Sequence, residues 1–241
     1  MNYGIEKSVK DGLIASVGVM TNMPASKHGV NLLKDEDIAF GQHTNICVGK
    51  PLSVPDLIPS LVTDEGFFKS SKDFRSSDID FVVFEEVLIE IEAQYKAFLS
   101  LFGRKSDYFE GHAVVSDNFF RALEFFAKEH ELTYFGLPEN VDPNNMRNRE
   151  FVYVHGTKVY LTMEAMIPDY DPNQTFMTMI ENLPSDGISM MIFHPGYLDD
   201  FILKNSSLLI PRTQEVEMLI HPKWKKILKE KNIECVDFRD L

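Results

Sequence analysis

The most constraining feature of this sequence is the alternation of short apolar runs with longer amphipathic stretches, which continues along almost the whole chain. Apolar runs of this length, bounded by turn residues, are typical of buried strands. Strands are predicted at residues 13–20, 38–43, 108–112, 132–135, 151–154, 189–194 and 233–236. Strand-helix alternation predicts an α/β fold with mostly parallel strands and outer helices, either closed as a barrel or doubly wound. We favour the barrel-like form.

Between these strands, amphipathic helices are predicted at residues 85–102, 117–130, 172–183 and 223–231. In the first, Val87, Ile91 and Tyr95 recur at intervals of four residues, and Gly103 provides a C-terminal stop. Asp117 is placed to cap the second helix. The helical stretches are therefore expected to cover the sheet.

Bulk composition limits the class of protein. A chain of 241 residues with 44% apolar residues can bury one large core, so we expect a single domain over residues 1–241. The formal net charge of −13 opposes binding to nucleic acid or an anionic membrane and favours a neutral or cationic small partner. Cys47 and Cys235 lack metal-type spacing, and the sequence shows neither a secretory leader nor a membrane-length apolar run. A reduced, cytoplasmic protein is expected.

Two long stretches, residues 48–80 and 138–149, are rich in loop-forming residues. Loops of this length in a compact domain are usually functional covers or disordered insertions. We interpret both as walls of a substrate cleft.

Three histidines share one position in the pattern, because His43, His112 and His194 each end a predicted strand. The carboxyl ends of parallel barrel strands emerge on one face, so these side chains are expected to converge on one pocket. Two neutral imidazoles with a carboxylate or water form an ordinary catalytic site for a divalent cation. The third imidazole, that of His194, is then available as a general acid or as a donor to an oxyanion.

Competing interpretations stay open at these positions. A strand-end histidine is often a hydrogen-bonded structural residue, and spacing alone does not decide between the two roles. Glu110 points to the same side of its strand as His112, where it would orient an imidazole or form an ordinary salt bridge. Arg212 either pairs with Glu215 on the surface or reaches into the site and holds a carboxylate, which makes it a catalytic candidate. The chain has no GxSxG, P-loop, GxGxxG or CxxC motif.

Several segments in order along the chain resemble the YdjC-like carbohydrate deacetylases: GLIASVGVMTNMPAS, FGQHTNICVGKPL, PSLVTDEGFF, GRKSDYFEGHAVV, HPGYLDD and PRTQEVEML. This resemblance implies a (β/α) barrel-like fold and a hydrolase, dependent on a divalent metal ion (magnesium or zinc), that removes acetyl groups from N-acetylated mono- or oligosaccharides. It also implies that His43 and His112 bind the metal and that His194 lies near the reacting group.

Two departures from the family pattern set further expectations. The family opens with a strand that ends in Asp-Asp-Phe-Gly, whereas MNYGIEKSV resembles the segment that follows it. We therefore expect the first strand and its aspartates to be missing, leaving a gap that a second copy closes in a homodimer. Glu110 stands in the family's aspartate position and is a candidate substitute carboxylate. The alternatives are a degenerate sugar-binding relative that has lost the aspartates, and a metal hydrolase acting on phosphate or a cyclic amide.

Overall fold

The structure is a computed structural model that describes residues 1–112, 114, 116–137 and 151–241. Its helices are α1 (Asn2–Lys10), α2 (Ser26–Leu33), α3 (Ser71–Ser76), α4 (Phe84–Phe102), α5 (Asp117–Glu129), α6 (Pro172–Glu181), α7 (Asp200–Asn205), α8 (Ile210–Ile220) and α9 (Pro222–Glu230). Its strands are β1 (Ser16–Val19), β2 (Ala39–Thr44), β3 (Tyr108–Gly111), β4 (Phe151–Val154), β5 (Thr157–Thr162) and β6 (Ile188–Met191).

The contacts divide the chain into two compact units. The β1–β3 unit comprises Ser16–Val30 and Ala39–Leu137. The β4–β6 unit comprises Met1–Ala15, Asn31–Ile38 and the described part of Pro138–Leu241. The expectation of a single domain over the whole chain stays a prediction, and each unit is described by itself below.

In the β1–β3 unit the three strands pair in parallel in the order β1-β2-β3. The register places Gly18 opposite Gly41 and His43 opposite Glu110. Helices α4 and α5 pack against each other, and their apolar faces form the core with β3. The buried side chains of this core include Val87, Ile91, Phe109, Phe119, Leu123 and Phe126.

Both helices of this core begin and end close to the predicted positions. Helix α4 ends at Phe102 and is followed by Gly103, whose left-handed φ of 67° suits a residue without a side chain. The predicted cap of α5 was wrong by one residue, because Ser116 rather than Asp117 precedes the first turn. The Ser116 Oγ accepts a hydrogen bond from the Phe119 N–H at 3.1 Å.

The β4–β6 unit contains an antiparallel pair, β4 with β5, followed by a parallel pair, β5 with β6. His155 and Gly156 form the tight connection between β4 and β5 with φ values of 47° and 84°, which is the backbone that two-residue hairpins require. Helices α6, α8 and α9 supply the core, which includes Phe176, Met179, Met218, Leu219, Trp224 and Leu228. The strand predicted at residues 233–236 is wrong, because this segment is irregular in the structure.

The prediction of an α/β fold with mostly parallel strands is confirmed, since three of the four described ladders are parallel. These ladders form two three-stranded sheets. The predicted strand at residues 132–135 contributes one parallel bridge, between Tyr134 and Phe109. Among the helices that the structure describes, none combines the length and the apolar character needed to cross a membrane.

The predicted cleft walls have different outcomes. The 48–80 stretch is partly core, because Ile58, Leu61 and Phe74 are buried in the β1–β3 unit. Its exposed portion includes Phe67, which carries Lys50 above its ring. The 138–149 stretch lies outside the described residues.

Candidate active site

His43 and His112 lie side by side in the β1–β3 unit. His43 is on β2 and His112 directly follows β3, so parallel pairing of these strands brings both side chains to one edge. The His43 Nε2 and the His112 Nδ1 are 3.0 Å apart, and the two rings meet edge to face with centroids 5.1 Å apart. Within this unit, the structure therefore brings His43 and His112 together as predicted, and the convergence of His194 on the same pocket stays a prediction.

Glu110 fixes the orientation of the first of these rings. It lies opposite His43 in the β2–β3 register, and its Oε1 is 3.0 Å from the His43 Nδ1. A carboxylate on Nδ1 favours the tautomer that carries its proton there, which leaves Nε2 with its lone pair towards His112. Both side chains are partly shielded from solvent, with 25% exposed for His43 and 18% for Glu110.

Gly18 on β1 provides the room for this pair. A Cβ atom at Gly18 would lie 2.8 Å from the Glu110 Oε1 and 3.1 Å from the His43 Cβ. Since real Cβ atoms do not approach carboxylate oxygens so closely, a side chain at position 18 would displace the carboxylate. Sequence reasoning missed this residue, although a glycine inside a β-rich run is a known sign of close approach.

The turn after β2 is held by a buried polar network. The Asn45 N–H donates to the Gln94 Oε1 at 3.0 Å, and the Gln94 Nε2 donates to the Asn45 carbonyl at 2.6 Å. The His112 N–H donates to the Thr44 carbonyl at 2.6 Å. These bonds fix the main chain on both sides of the imidazole pair. Gln94 was not predicted, because polar residues on a helix are usually solvated.

His194 follows β6 in the other unit, where helix α8 contacts its main chain. The His194 N–H donates to the Glu215 Oε2 at 2.5 Å, and the His194 carbonyl accepts from the Arg212 Nη1 at 3.0 Å. Two residues later, the Gly196 N–H donates to the Arg212 carbonyl at 3.2 Å. This pattern explains how the chain is held where the apolar run stops at Pro195 and Gly196.

Arg212 and Glu215 are not the surface pair that their spacing allowed, because 9% of Arg212 and 0% of Glu215 are exposed. The Arg212 Nε donates to the Leu208 carbonyl at 2.9 Å, and its Nη2 donates to the Ser206 Oγ at 3.3 Å. The guanidinium thus contacts main-chain and hydroxyl oxygens of its own unit. A catalytic role for Arg212 stays a prediction.

Burial changes the acidity of this carboxylate. Removal from water raises the pKa of Glu215 to about 7, and the His194 N–H, the Tyr170 hydroxyl and Arg212 oppose that rise in decreasing order. The Tyr170 hydroxyl donates to the Glu215 Oε1 at 3.1 Å. Burial also lowers the pKa of Arg212, against the attraction of Glu215. The carboxyl therefore changes charge near neutral pH.

A cavity of about 390 Å³ opens beside Tyr170 in the β4–β6 unit. Its lining combines the end of β5 with one side of α6, including Thr162, Glu164, Tyr170, Gln174, Thr175 and Thr178. The Thr175 hydroxyl donates to the Glu164 Oε2 at 2.7 Å. The lining is partly polar, and the volume lies within the range of small-molecule pockets.

Fold and site together define an α/β protein with a carboxylate-oriented imidazole pair at the ends of parallel strands. Residues 1–230 match the YdjC-like protein family, and the chain belongs to this family. The resemblance predicted from the sequence motifs is confirmed.

Known relatives align over the full length of this chain. The carbohydrate deacetylase of Clostridium beijerinckii is 29% identical, with 100% of this chain and 94% of the relative covered. Carbohydrate deacetylase 2 of Listeria innocua is 30% identical, with 100% of this chain and 93% of the relative covered. A solved structure from Enterococcus faecalis, named "putative cellobiose-phosphate cleavage protein", superposes with a TM-score of 0.82 at 20% identity. It covers 99% of this chain and 92% of its own, and this likeness shows the fold.

Proposed function

We propose that this chain is a metal-dependent hydrolase that removes acetyl groups from N-acetylated mono- or oligosaccharides. The observation that carries the proposal is the imidazole pair, with the His43 Nε2 and the His112 Nδ1 only 3.0 Å apart. The names of the relatives, carbohydrate deacetylases that align over the whole chain, support the substrate class.

The two imidazoles fit a divalent cation as neighbouring ligands. Imidazole nitrogen is a common ligand of divalent metal ions, and the two ring nitrogens, 3.0 Å apart, are close enough for one ion to contact both. The same separation also suits a hydrogen bond between the two rings. A shared ion would replace the ring–ring hydrogen bond, and both rings would have to turn their nitrogen atoms towards it. Magnesium and zinc are the candidate ions.

Each residue of the pair has a defined task. His43 and His112 would hold the cation, and Glu110 keeps the proton of His43 on Nδ1 so that Nε2 is free to bind. When bound, a divalent cation would polarise an acetamide carbonyl and lower the pKa of a water molecule. Because Glu110 contacts the His43 Nδ1, we assign it the role of orienting the imidazole rather than that of a substitute metal ligand. His194 is assigned the transfer of a proton to the departing amine, a role that rests on the resemblance of its HPG segment.

A second candidate function, a sugar-binding relative without catalysis, is favoured by one observation. Across residues 1–112, 114, 116–137 and 151–241, no group of three or more His, Cys, Asp or Glu side chains is arranged to hold a metal ion. Two imidazoles alone bind a cation weakly, and water would have to complete the coordination.

The deciding experiment measures metal uptake and acetate release on the same protein. Zinc and magnesium binding are followed by titration calorimetry, and acetate release is followed with N-acetylglucosamine oligomers. We expect both with the unchanged chain, and loss of metal uptake in His43→Ala and His112→Ala. The exposed His28 provides the control variant His28→Ala, which should bind metal as before.

Three results separate the proposals. Metal uptake with acetate release supports the deacetylase. Sugar binding without acetate release supports the non-catalytic relative. Full metal occupancy in both alanine variants contradicts the assignment of His43 and His112.

A further inference from the structure

We propose that Arg212 and Glu215 are positioning residues that hold the His194 main chain from both sides, and that the ionised carboxylate of Glu215 is the form that holds it. The assignment of a catalytic task to His194 rests on the function proposed above. The two hydrogen bonds that Arg212 and Glu215 form with the His194 main chain, here called the hold, do not depend on that function. They can be measured on the isolated chain.

Helix α8 presents the two side chains together. Positions 212 and 215 are three residues apart, which places them on one face of the helix. From that face, the Glu215 Oε2 receives the His194 N–H and the Arg212 Nη1 reaches the His194 carbonyl. Both polar groups of one residue are thus bound by one helix, which restrains the peptide planes on both sides of His194.

The energetic cost of this arrangement indicates a purpose beyond stability. Taking a guanidinium and a carboxylate out of water is costly, and apolar residues of similar size often stabilise a fold equally well. Here Arg212 and Glu215 each form hydrogen bonds with the main chain of His194. Buried polar contacts of this kind are expected where a segment must be placed accurately, as at the position of a catalytic side chain.

Arg212 has its donor groups committed within its own unit. Its Nε, Nη1 and Nη2 contact the Leu208 carbonyl, the His194 carbonyl and the Ser206 Oγ. These bonds use three of the five guanidinium N–H donors and fix its plane, and only 9% of Arg212 is exposed. We therefore assign Arg212 a positioning task instead of the contact with a carboxylate in the site that the sequence left open.

The ionised form of Glu215 matches its surroundings. It faces the His194 N–H from the segment after β6, the Tyr170 hydroxyl from the segment before α6, and Arg212 from its own helix. Beyond Tyr170, the charges of Glu164 and Asp171 act on the tyrosine. Each oxygen of Glu215 accepts one hydrogen bond, and an ionised carboxylate can accept both because neither oxygen carries a proton. A protonated carboxyl would have one accepting oxygen fewer, and the Tyr170 hydroxyl would have to turn and accept its proton.

The carboxyl is also poised to change charge in an accessible range, because burial raises the pKa of Glu215 to about 7. As the pH falls through this value, Glu215 gains a proton and loses one accepting oxygen. The hold on the His194 N–H weakens at acidic pH and is complete at alkaline pH.

The first test follows the His194 amide proton by NMR in a 15N-labelled, full-length chain between about pH 5 and pH 9. An N–H that donates to a carboxylate resonates far downfield, so the signal should move upfield as Glu215 is protonated, with a midpoint near 7. In Glu215→Gln, an isosteric variant without a titrating group, this movement should disappear. The control Glu217→Gln changes an exposed residue of the same helix and should titrate like the unchanged chain.

The result that overturns the proposal is a His194 amide that titrates identically in Glu215→Gln, or that does not respond to pH in the unchanged chain. The His194 ring signals, recorded in the same spectra, identify any movement caused by its own imidazole. If Glu215→Gln does not fold, Tyr170→Phe replaces it. Loss of the tyrosine hydroxyl should raise the midpoint, and an unchanged midpoint contradicts the network.

The second test uses acetate release and separates the two proposals. If His194 is the proton donor, Glu215→Gln should lower kcat by about 10-fold or more with KM and metal uptake unchanged, since small misplacements of a reacting group are costly. It should also remove the decline of kcat that protonation of Glu215 causes near pH 7. A chain that releases no acetate but shows the NMR titration refutes the proposed function and retains the hold. If Glu215→Gln abolishes the titration of the His194 amide signal but leaves kcat unchanged, the hold on the His194 main chain does not contribute to catalysis.

Discussion

The two histidine-bearing regions use a carboxylate in different ways. In the β1–β3 unit, Glu110 contacts the imidazole ring of His43, and both side chains are partly exposed. In the β4–β6 unit, Glu215 is fully buried and contacts the main chain of His194. One carboxylate acts on the chemistry of a ring, and the other acts on the position of a backbone.

This difference predicts different consequences for mutation. A carboxylate on a ring nitrogen controls which nitrogen is free to bind, so its removal should change ligand affinity more than stability. A carboxylate buried against the main chain carries a large desolvation cost, so its removal should change stability and its pH dependence.

Removal of the buried guanidinium should have the largest effect on stability. Arg212→Ala leaves the Glu215 carboxylate buried without its positive neighbour and frees the His194 carbonyl. We expect a loss of about 3–5 kcal/mol in the free energy of unfolding at pH 8, measured by urea denaturation. Lys204→Ala is the control, because Lys204 pairs with Asp200 on the surface. A loss no larger than that of the control would show that Arg212 does not support this region.

The pH dependence of stability should identify Glu215. Its pKa is about 7 in the folded chain against an ordinary value of 4.5, so the native state is penalised as the pH rises from 4.5 to 7. The penalty reaches about 3 kcal/mol above pH 7, at about 1.4 kcal/mol per unit of pKa. Glu215→Gln carries no such penalty, so its stability relative to the unchanged chain should improve by that amount between pH 4 and pH 8. A constant difference in urea unfolding across this range would contradict the raised pKa.

The elements that could be predicted are those whose sequence carries a local signal, such as apolar residues at helical spacing or a terminal glycine. Helix α4 follows from apolar residues at helical spacing and a terminal glycine, and its bounds differ from the prediction by one residue. The irregular segment at residues 233–236 shows the opposite case, since a short apolar run does not specify a strand without a partner. Strand β5 was missed because its alternation is mixed with Lys158 and Tyr160.

The candidate site divides in the same way. The convergence of His43 and His112 followed from strand ends and parallel pairing, which are topological. The burial of Glu215 did not, because an Arg-Glu pair three residues apart usually lies on a solvated helix face. One sign was present in the sequence: Arg212, Glu215, Val216 and Leu219 share a helical stripe, and all four are buried. Charged residues on an apolar stripe are better interpreted as a buried network than as a surface pair.

Neutralising the ring-bound carboxylate should affect binding more than stability. Glu110→Gln keeps the size of the side chain but weakens its preference for a proton on the His43 Nδ1. Loss of such an orienting carboxylate typically lowers metal affinity by about 10–100-fold. Titration calorimetry with zinc measures this change, and urea unfolding should show little difference from the unchanged chain. Equal losses of affinity and stability would remove the distinction between the two carboxylates.

The smallest expected effect comes from one hydroxyl group. Tyr170→Phe removes the donor to the Glu215 Oε1 and keeps the ring, so it should cost about 1 kcal/mol of stability above pH 7. Because that hydrogen bond lowers the pKa of Glu215, its loss should also raise the pH at which Glu215 ionises. Tyr160→Phe is the matched control, since the Tyr160 hydroxyl donates to the exposed Asp186. In the background of Glu215→Gln, the effect of Tyr170→Phe should shrink, because the hydroxyl no longer meets a charge. An undiminished effect in the double variant would place the contribution of Tyr170 elsewhere than on Glu215.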